Sequence, residues 1–581
     1  MLRLARFLRP YRMFVALVLV LTFAQTMSSL YLPNLMSHIV DTGIVRGDVA
    51  YILRVGLWML LITLLGGLAS VLASFYAAKA TAGFGQRLRS RLFSHVEQYS
   101  LREFDRWGTS SLIVRTTNDV MQVQQLIYML LRMMVMAPLT ALGGIILAVH
   151  TDARLSLVIV VVLPLMALAI YAVMGRGLGL FRAIQTKVDG LNRVLRENLT
   201  GARVVRSFGR TAHELARFDD SNRDLTDTSV RVFQLMATLM PLVMLIMNLA
   251  TVAIVWLGAV QINATTLQIG QLMAFIQYVM QIMFSVMMVS MMLFMLPRAQ
   301  ASAIRIGEVL ALEPDITDPQ APRTPASGVR GRVAFEDVTF QYPGAEEPAL
   351  HGISFAAAPG EVTAIIGGTG AGKSTLLNLI VRFFDVSRGS VRIDGVDVRE
   401  MSQEALRGRI GYVPQRAVLF TGSVAENVRY GDMEASDAAV RHAVDIAQAA
   451  DFVVELGDGD MDQGLRAVMM QGGTNLSGGQ RQRLAIARAL ARRAEIYLFD
   501  DSFSALDYRT DARLRAALRH EIRDATTIVV AQRVSTVIDA DRILVLDDGR
   551  LVGAGTHREL LRSCPVYQEI VSSQLSPEEI A

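Results

Sequence analysis

The segment from Val232 to Pro297 contains no Asp, Glu, Lys, Arg or His. A helix needs about 20 apolar residues to cross the hydrocarbon core of a bilayer, so this segment is too long for one span and too apolar for solvent. The polar run Gln261–Thr266 interrupts it and marks a turn between two spans. The sequence therefore predicts a membrane-embedded pair of helices, which fits a chain with 52% hydrophobic residues.

Four further charge-free stretches precede this pair: Met13–Met36, Val55–Ala78, Met133–Val149 and Leu155–Gly175. The first follows several arginines, as a signal peptide does, but it is longer than a signal-peptide core and lacks an obvious cleavage site. Six spans are therefore predicted. Because no stretch contains a charge, we expect no ion or proton relay in the spans and an apolar or amphipathic cargo. Clustered methionines suit a surface that accommodates such cargo, or equally helix packing and lipid contact.

Arginine-rich connections lie between spans two and three and between spans four and five. Positively charged loops stay inside, so both termini and these connections are predicted to be cytoplasmic in a multi-pass protein of the bacterial cytoplasmic membrane. Each connection is long enough for an antiparallel helical extension. Turn-forming residues place the two tips at Gly108–Asp119 and Asn198–Gly209, where they either contact a cytosolic domain or end solvated hairpins.

A Pro-rich polar stretch follows the last span. It predicts a membrane domain at 1–312, a linker at 313–330 and a soluble α/β domain at 331–581. The single cysteine, Cys564, excludes an intrachain disulfide and fits a reducing cytosol.

The soluble part contains a phosphate-loop motif directly after the apolar strand Val362–Ile366. Backbone N–H groups of such a loop bind phosphates, its lysine reaches the outer phosphates, and its hydroxyl residue ligates Mg²⁺. A second apolar strand, Ile496–Phe499, ends in Asp500 and Asp501, and a carboxylate there can hold Mg²⁺. We predict ATP and Mg²⁺ as cofactors. The predicted phosphate-binding residues are Gly367, Gly368, Thr369, Gly370, Ala371, Gly372, Lys373, Ser374 and Thr375.

The run Leu476-Ser477-Gly478-Gly479-Gln480 precedes a basic helix and then the Asp500 strand. With the phosphate loop, it resembles the ATP-binding cassette (ABC) transporters, and the resemblance covers essentially the whole chain. It implies an exporter-type half-transporter: an α-helical membrane domain of six spans with long cytoplasmic extensions, then an α/β P-loop nucleotide-binding domain of ABC type. In that family two cassettes pair head to tail, and each ATP lies between one phosphate loop and the opposite signature motif, here Ser477–Gln480.

The resemblance also assigns roles to single residues. Tyr342 matches the aromatic residue that stacks on adenine, and Gln415 matches the residue that senses Mg²⁺ and contacts the membrane domain. Asp500 matches the Mg²⁺-side carboxylate, and Ser504–Asp507 matches the loop exchanged across the dimer. The two predicted tips resemble the coupling helices of the family.

Three positions depart from the family pattern. Asp501 stands where the family has the catalytic Glu, and the shorter side chain withdraws the carboxylate by more than an ångström, a misplacement that can cost about 10²-fold in rate. Gln532 stands where the family has a switch His and cannot carry a positive charge. Gln471 replaces a Glu found in many exporters. Each change alone is compatible with tolerated drift, since Asp can act as a base and Gln can orient a phosphate.

Asp501, Gln532 and Gln415 are the candidate catalytic residues, and the intact signature beside an altered site resembles the degenerate half of heterodimeric ABC exporters. This predicts a subunit that binds ATP, completes the site of a second, non-identical half-transporter, and moves an amphipathic or lipid-like solute across the membrane in contact with membrane lipids. The alternatives are a homodimeric exporter with two slow ATPase sites and an ATP-sensing regulatory subunit. Six spans exclude a soluble ABC protein acting on nucleic acid.

Overall fold

The structure is a computed structural model that describes Leu4, residues 6–325 and residues 330–575. The chain forms two compact units. The first comprises the residues up to Glu97 and Thr109–Leu312, and the second comprises Gln98–Gly108 and the residues from Glu313 onward.

The first unit is helical. Its helices are α1 (Arg12–His38), α2 (Val49–Val96), α4 (Thr109–Val114), α5 (Val120–Thr151), α6 (Leu157–Thr200), α7 (Ala202–Ser207), α8 (Thr211–Asn263) and α9 (Ile269–Ala311), while α3 (Leu101–Trp107) belongs to the second unit. A 3₁₀ turn (Arg6–Tyr11) precedes α1, and π-helical segments (Ile39–Ile44 and Arg115–Asp119) follow α1 and precede α5.

Six helical stretches within the described residues are long and apolar enough to cross a membrane: Arg6–Ile44, Val49–Val96, Thr109–Thr151, Leu157–Thr200, Thr211–Asn263 and Ile269–Ala311. This confirms the predicted six spans. With 48 residues, α2 is about 70 Å long at 1.5 Å per residue, so it extends well beyond a hydrocarbon core of about 30 Å. The turn between the last two spans lies at the predicted polar run, where Gln268 begins α9 with a capping box.

The predicted tips differ in accuracy. The second is where expected: α6 ends at Thr200, and Gly209 has φ +63° before α8. The first was predicted too late in the chain. The reversal is α3, which begins at a Ser100 capping box and ends at Gly108 with φ +70°, whereas Arg115–Asp119 is already part of the returning helix. The capping-box pattern of Ser100 and Glu103 was the signal for the correct position, because the Glu103 carboxylate accepts from the Ser100 N–H at 2.7 Å at the start of the new helix.

The second unit is an α/β domain with an antiparallel sheet, a mixed sheet and a short hairpin. Its strands are β1 (Val333–Phe340), β2 (Leu350–Ala357), β3 (Val362–Gly367), β4 (Arg388–Ile393), β5 (Val396–Asp397), β6 (Ile410–Val413), β7 (Gly422–Ser423), β8 (Val468–Met469), β9 (Ile496–Asp500), β10 (Thr526–Val530), β11 (Arg542–Asp547) and β12 (Arg550–Gly555). The sheet orders are β2-β1-β4-β5, β12-β11-β3-β10-β9-β6 and β7-β8.

The second unit also contains helices. Besides α3 they are α10 (Lys373–Ile380), α11 (Gln403–Gly408), α12 (Val424–Arg429), α13 (Asp437–Ile446), α14 (Ala450–Leu456), α15 (Met461–Arg466), α16 (Gly478–Ala491), α17 (Tyr508–Glu521), α18 (Val534–Val537), α19 (His557–Ser563) and α20 (Pro565–Gln574), with 3₁₀ turns at Val398–Glu400 and Gln471–Gly473. One apolar cluster contains Phe499 and Leu484, and a second contains Leu498 and Leu376. Consecutive residues of β9 thus pack into different clusters, as expected of a central strand.

The mixed sheet determines where the functional residues meet. Strands β11, β3, β10, β9 and β6 run parallel, with Ile365 paired to Val530, Val530 to Asp500 and Phe499 to Val413. The carboxyl ends of parallel strands lie at one edge of a sheet, and ligands of open α/β sheets bind outside that edge. The loops after β3, β10, β9 and β6 therefore share one site.

Candidate functional site

The phosphate loop leaves β3 at Gly367 and enters α10 at Lys373. Gly370 and Gly372 have φ of +87° and +94°. A Cβ on Gly372 would lie 2.9 Å from the carbonyl oxygen of Ala349, and one on Gly367 would lie 2.1 Å from that of Leu546. The loop thus requires glycine for backbone conformation and for space. Gly368, Thr369 and Gly370 are exposed, whereas Ala371 is buried, so the outer part of the loop faces solvent.

The ammonium group of Lys373 is bonded to the backbone of this loop. Its Nζ donates to the carbonyl oxygens of Gly367 at 2.9 Å and Gly368 at 2.7 Å. Burial lowers the pKa of Lys373, and the negative charges of Asp501 and Asp500 oppose that shift. The ammonium is therefore held by backbone carbonyls at the position from which it can reach an anion.

Ser374 and Asp500 form a contact that fits a divalent cation. Ser374 Oγ donates to Asp500 Oδ1 at 2.8 Å, and Asp500 is only 5% exposed. Burial raises the pKa of the Asp500 carboxyl, and the neighbouring Asp501 charge raises it further, while the Ser374 bond acts in the opposite sense. A carboxylate that is costly to bury and a hydroxyl beside it are the oxygen ligands that Mg²⁺ takes together with nucleotide phosphates. These residues fit the predicted metal.

Both other candidate catalytic residues donate a hydrogen bond to the side chain of Asp501. Its Oδ2 accepts a hydrogen bond from Gln532 Nε2 at 3.2 Å and one from Gln415 Nε2 at 3.4 Å. Its own N–H donates to the carbonyl oxygen of Val530 at 2.9 Å, which continues the β9–β10 pairing past the end of the strand. The sheet edge thus brings together three residues that are far apart in sequence.

The backbone of Asp501 has φ +46°. Asp is several-fold enriched in this left-handed region compared with longer side chains. The loop that follows is tied to the same residue, because Ser504 donates through Oγ to the Asp501 carbonyl oxygen at 2.8 Å. The position is therefore well suited to an aspartate in conformation as well as in contacts.

Gln574 is a residue near the site that sequence reasoning missed. Its Nε2 donates to the carbonyl oxygen of Gln532 at 2.8 Å, and its Oε1 accepts from the N–H of Val534 at 2.9 Å. One side chain at the end of α20 thus fixes the loop on both sides of Arg533. No motif identifies it, because the contact depends on how α20 docks; its buried Tyr567 and Val571 anchor that helix.

The signature motif is bonded to its own helix. Ser477 begins α16 with a capping box, its N–H donating to Gln480 Oε1 at 2.8 Å and its Oγ accepting from the Gln480 N–H at 3.3 Å. A Cβ on Gly478 would meet open space, and one on Gly479 would lie 3.1 Å from the Ala505 carbonyl oxygen. The helix N-terminus therefore presents an exposed, glycine-lined surface of the kind that binds anions. Among the described residues, no hydrogen bond joins it to the phosphate loop of the same chain.

Tyr342 and Gln471 are the remaining predicted positions. Tyr342 Oη lies 3.0 Å from Thr375 Oγ1, and its ring meets Phe340 and Phe384 edge to face, with ring centroids 4.8 and 5.3 Å apart. This places the predicted adenine-stacking ring beside the start of α10. Gln471 is exposed in a 3₁₀ turn before the signature motif.

The sequence matches two family models. Residues 15–286 match the ABC transporter transmembrane region, and residues 350–504 match ABC transporter. An uncharacterized ABC transporter ATP-binding protein of Mycobacterium tuberculosis (strain CDC 1551 / Oshkosh) is 44% identical over 98% of this chain and 97% of its own. An ATP-dependent lipid A-core flippase of Chromobacterium violaceum is 33% identical over 94% of this chain and 92% of its own.

The fold has a counterpart among solved structures. A bacterial Atm1-family ABC exporter with ATP bound superposes with a TM-score of 0.79 at 28% sequence identity. The alignment covers 98% of this chain and 99% of that one. Membrane and cassette parts thus occur in the same order in both.

Proposed function

Because this chain belongs to the ABC transporter family, as an exporter-type half-transporter with a fused membrane domain and an ATP-binding cassette, we propose that it is the hydrolysis-impaired subunit of a heterodimer. ABC exporters act as dimers, and this one couples ATP to movement of a solute across the inner membrane. The proposal concerns which subunit hydrolyses ATP and what kind of solute moves.

The observation that carries the proposal is the surroundings of the Asp501 carboxylate. It is one methylene shorter than the family's Glu, and its donors, Gln532 and Gln415, are neutral amides. A general base must lie within hydrogen-bond distance of the attacking water, and a misplacement of about 1 Å can cost 10²-fold. A neutral Gln532 also supplies no positive charge to the phosphoryl group that is being transferred. Both changes reduce hydrolysis while leaving the phosphate loop intact.

The binding residues support retention of ATP. Loop N–H groups and Lys373 would hold the phosphates, Tyr342 would stack on the base, and Ser374, Asp500 and Gln415 would hold Mg²⁺. When bound, that cation neutralises phosphate charge. The exposed signature helix would receive the phosphates bound by the second subunit, so an impaired site here remains compatible with a competent site formed with the partner.

The solute is proposed to be amphipathic or lipid-like. The membrane spans are charge-free over long stretches, and one relative that matches most of the chain is a lipid A-core flippase. A bilayer-embedded pathway for such molecules needs apolar walls. The two predicted tips, with α3 as the corrected first, are proposed as coupling helices.

The test compares ATP hydrolysis by the full chain in lipid nanodiscs with and without a second half-transporter that has Glu and His at the positions matching 501 and 532. We expect little turnover by the chain alone and recovery in the pair. The double variant D501E/Q532H should raise turnover of the chain alone by about 10²-fold. The control is Q471E, a change toward the family pattern at an exposed residue, which should leave turnover unchanged.

Other results would decide against the proposal. Rapid turnover by the unmodified chain alone would identify a homodimeric exporter. Absence of solute movement in vesicles, with the partner active in hydrolysis, would favour a regulatory ATP-sensing subunit. No gain from D501E/Q532H would show that the two substitutions are not what limits hydrolysis.

A further inference from the structure

Arg132 places a positive charge between three membrane-spanning helices. It lies in α5, and its guanidinium donates through Nη1 to Gln25 Oε1 of α1 at 3.1 Å and through Nη2 to Ser70 Oγ of α2 at 3.4 Å. Gln25 lies near the middle of the charge-free stretch Met13–Met36, and Ser70 lies well inside Val55–Ala78. The guanidinium is therefore at the depth of the hydrocarbon core.

This corrects the expectation that the spans hold no charge. Arg132 directly precedes the third charge-free stretch in the sequence, so its residue number places it at the edge of a span. Its long side chain nevertheless reaches polar groups inside two other spans. The polar residues Gln25 and Ser70 were visible in the sequence, but their convergence on one arginine depends on how the helices pack.

Among the residues that the structure describes, none forms an ion pair with the Arg132 guanidinium, and both of its hydrogen-bond partners are neutral. A charged group at this depth is costly unless it is paired or faces a water-filled cavity. The Arg132 residue is only half-buried, so it remains accessible. A guanidinium has five N–H donors, and the described part of the chain accepts hydrogen bonds from two of them.

We propose that Arg132 binds the oxyanion group, phosphate or carboxylate, of an amphipathic substrate in the membrane domain. The planar fork of a guanidinium matches such groups in a bidentate manner, and Gln25 and Ser70 hold it in place from two neighbouring helices. The proposal rests on the amphipathic solute of the proposed function, and it specifies that this solute carries a negative charge.

The sequence provides a matched control. Arg176 also adjoins a charge-free stretch, Leu155–Gly175, but its Nη1 bonds to the carbonyl oxygen of Ala172 in its own helix at 3.4 Å. It therefore shares the charge and the position at a span boundary with Arg132, but among the described residues it forms no hydrogen bond or ion pair with another span.

The experiment measures binding of two pairs of probes to the full chain in detergent, without ATP or a second subunit. The pairs are dioleoyl phosphatidylglycerol against dioleoyl phosphatidylcholine, and dodecyl phosphate against dodecyltrimethylammonium. Native mass spectrometry gives the bound fractions. Wild type should prefer the anionic member of at least one pair. R132Q should reduce that preference about 10-fold, the usual scale of a charge-assisted hydrogen bond, and R176Q should retain it.

The two probe pairs distinguish a membrane lipid from a free amphiphile as the source of the oxyanion. Preference for phosphatidylglycerol indicates a membrane lipid headgroup, and preference confined to dodecyl phosphate indicates a free amphiphile. R132K should keep the preference with several-fold weaker binding, because an ammonium lacks the fork; this comparison remains informative if R132Q does not fold. Equal loss in R176Q, no preference in wild type, or full retention in R132Q and R132K would overturn the proposal. Since neither ATP nor a partner is present, the result is independent of the hydrolysis test.

Discussion

Removing the side chain of Gln574 should loosen the loop that carries Gln532. The substitution Q574A deletes two hydrogen bonds, to the carbonyl oxygen of Gln532 and from the N–H of Val534. Each neutral bond contributes about 0.5–1.5 kcal/mol, and Gln574 is exposed, so water replaces part of both. We expect the local opening free energy of the loop to fall by about 1–2 kcal/mol, which is a factor of roughly 5–30 in the population of the open form.

Amide hydrogen exchange of the full chain measures this directly. The Val534 N–H should exchange roughly 5–30 times faster in Q574A, while amides in the centre of β10 stay protected. The variant Q574E retains an acceptor for Val534 but places a carboxylate against the Gln532 carbonyl oxygen, so its effect should fall between wild type and Q574A at Val534. In the Q568A control, the lost bond goes to the Leu561 carbonyl oxygen of α19, and Val534 should be unaffected.

Two outcomes would refute the reasoning. Unchanged exchange at Val534 in Q574A would mean that the loop is held by other contacts. Equal acceleration in Q568A would mean that α20 as a whole, rather than Gln574, supports the loop. If the prediction is correct, the position of Gln532 and its bond to Asp501 depend on the docking of the C-terminal helix.

Two further predictions concern sites away from the nucleotide. Asp119 is fully buried and accepts hydrogen bonds from Ser302 Oγ and Arg305 Nε, both at 2.8 Å. The substitution D119N should therefore destabilise the membrane domain by roughly 2 kcal/mol. A thermal melt should show a lower midpoint for D119N than for wild type or for the control D105N. Burial lowers the pKa of His557, so the folded state favours its neutral form; stability from this group is complete above about pH 6.5 and falls as the pH drops through that value. H557Q should therefore reduce the difference between thermal midpoints at pH 7.5 and pH 5.5, and an unchanged difference would contradict this.

Features that depend on residues close together in the sequence could be predicted, and features that depend on contacts between distant residues could not. The spans could be predicted because each one needs about 20 consecutive apolar residues. The phosphate loop could be predicted because its glycines lie within one short motif. The meeting of Asp501, Gln532 and Gln415 was expected only through a family resemblance, and parallel strand order explains it physically.

The remaining features depend on docking between distant elements. Gln574 reaches the site because α20 packs near α18, and Arg132 finds Gln25 and Ser70 because three helices pack together. Neither contact has a local pattern in the sequence. The misplaced first tip had a local signal, the Ser100 capping box, which the more conspicuous Gly108 obscured.

Because lysine is scarce in this chain, the phosphate loop differs from the rest of the cassette in carrying a primary amine on a side chain. The chain contains only Lys79, Lys187 and Lys373, so Lys373 is the one ε-amine of the cassette sequence. Acylating reagents of small size should therefore modify a single cassette residue, and protection of that residue by a bound nucleotide would report occupancy of this subunit's site separately from that of any second subunit.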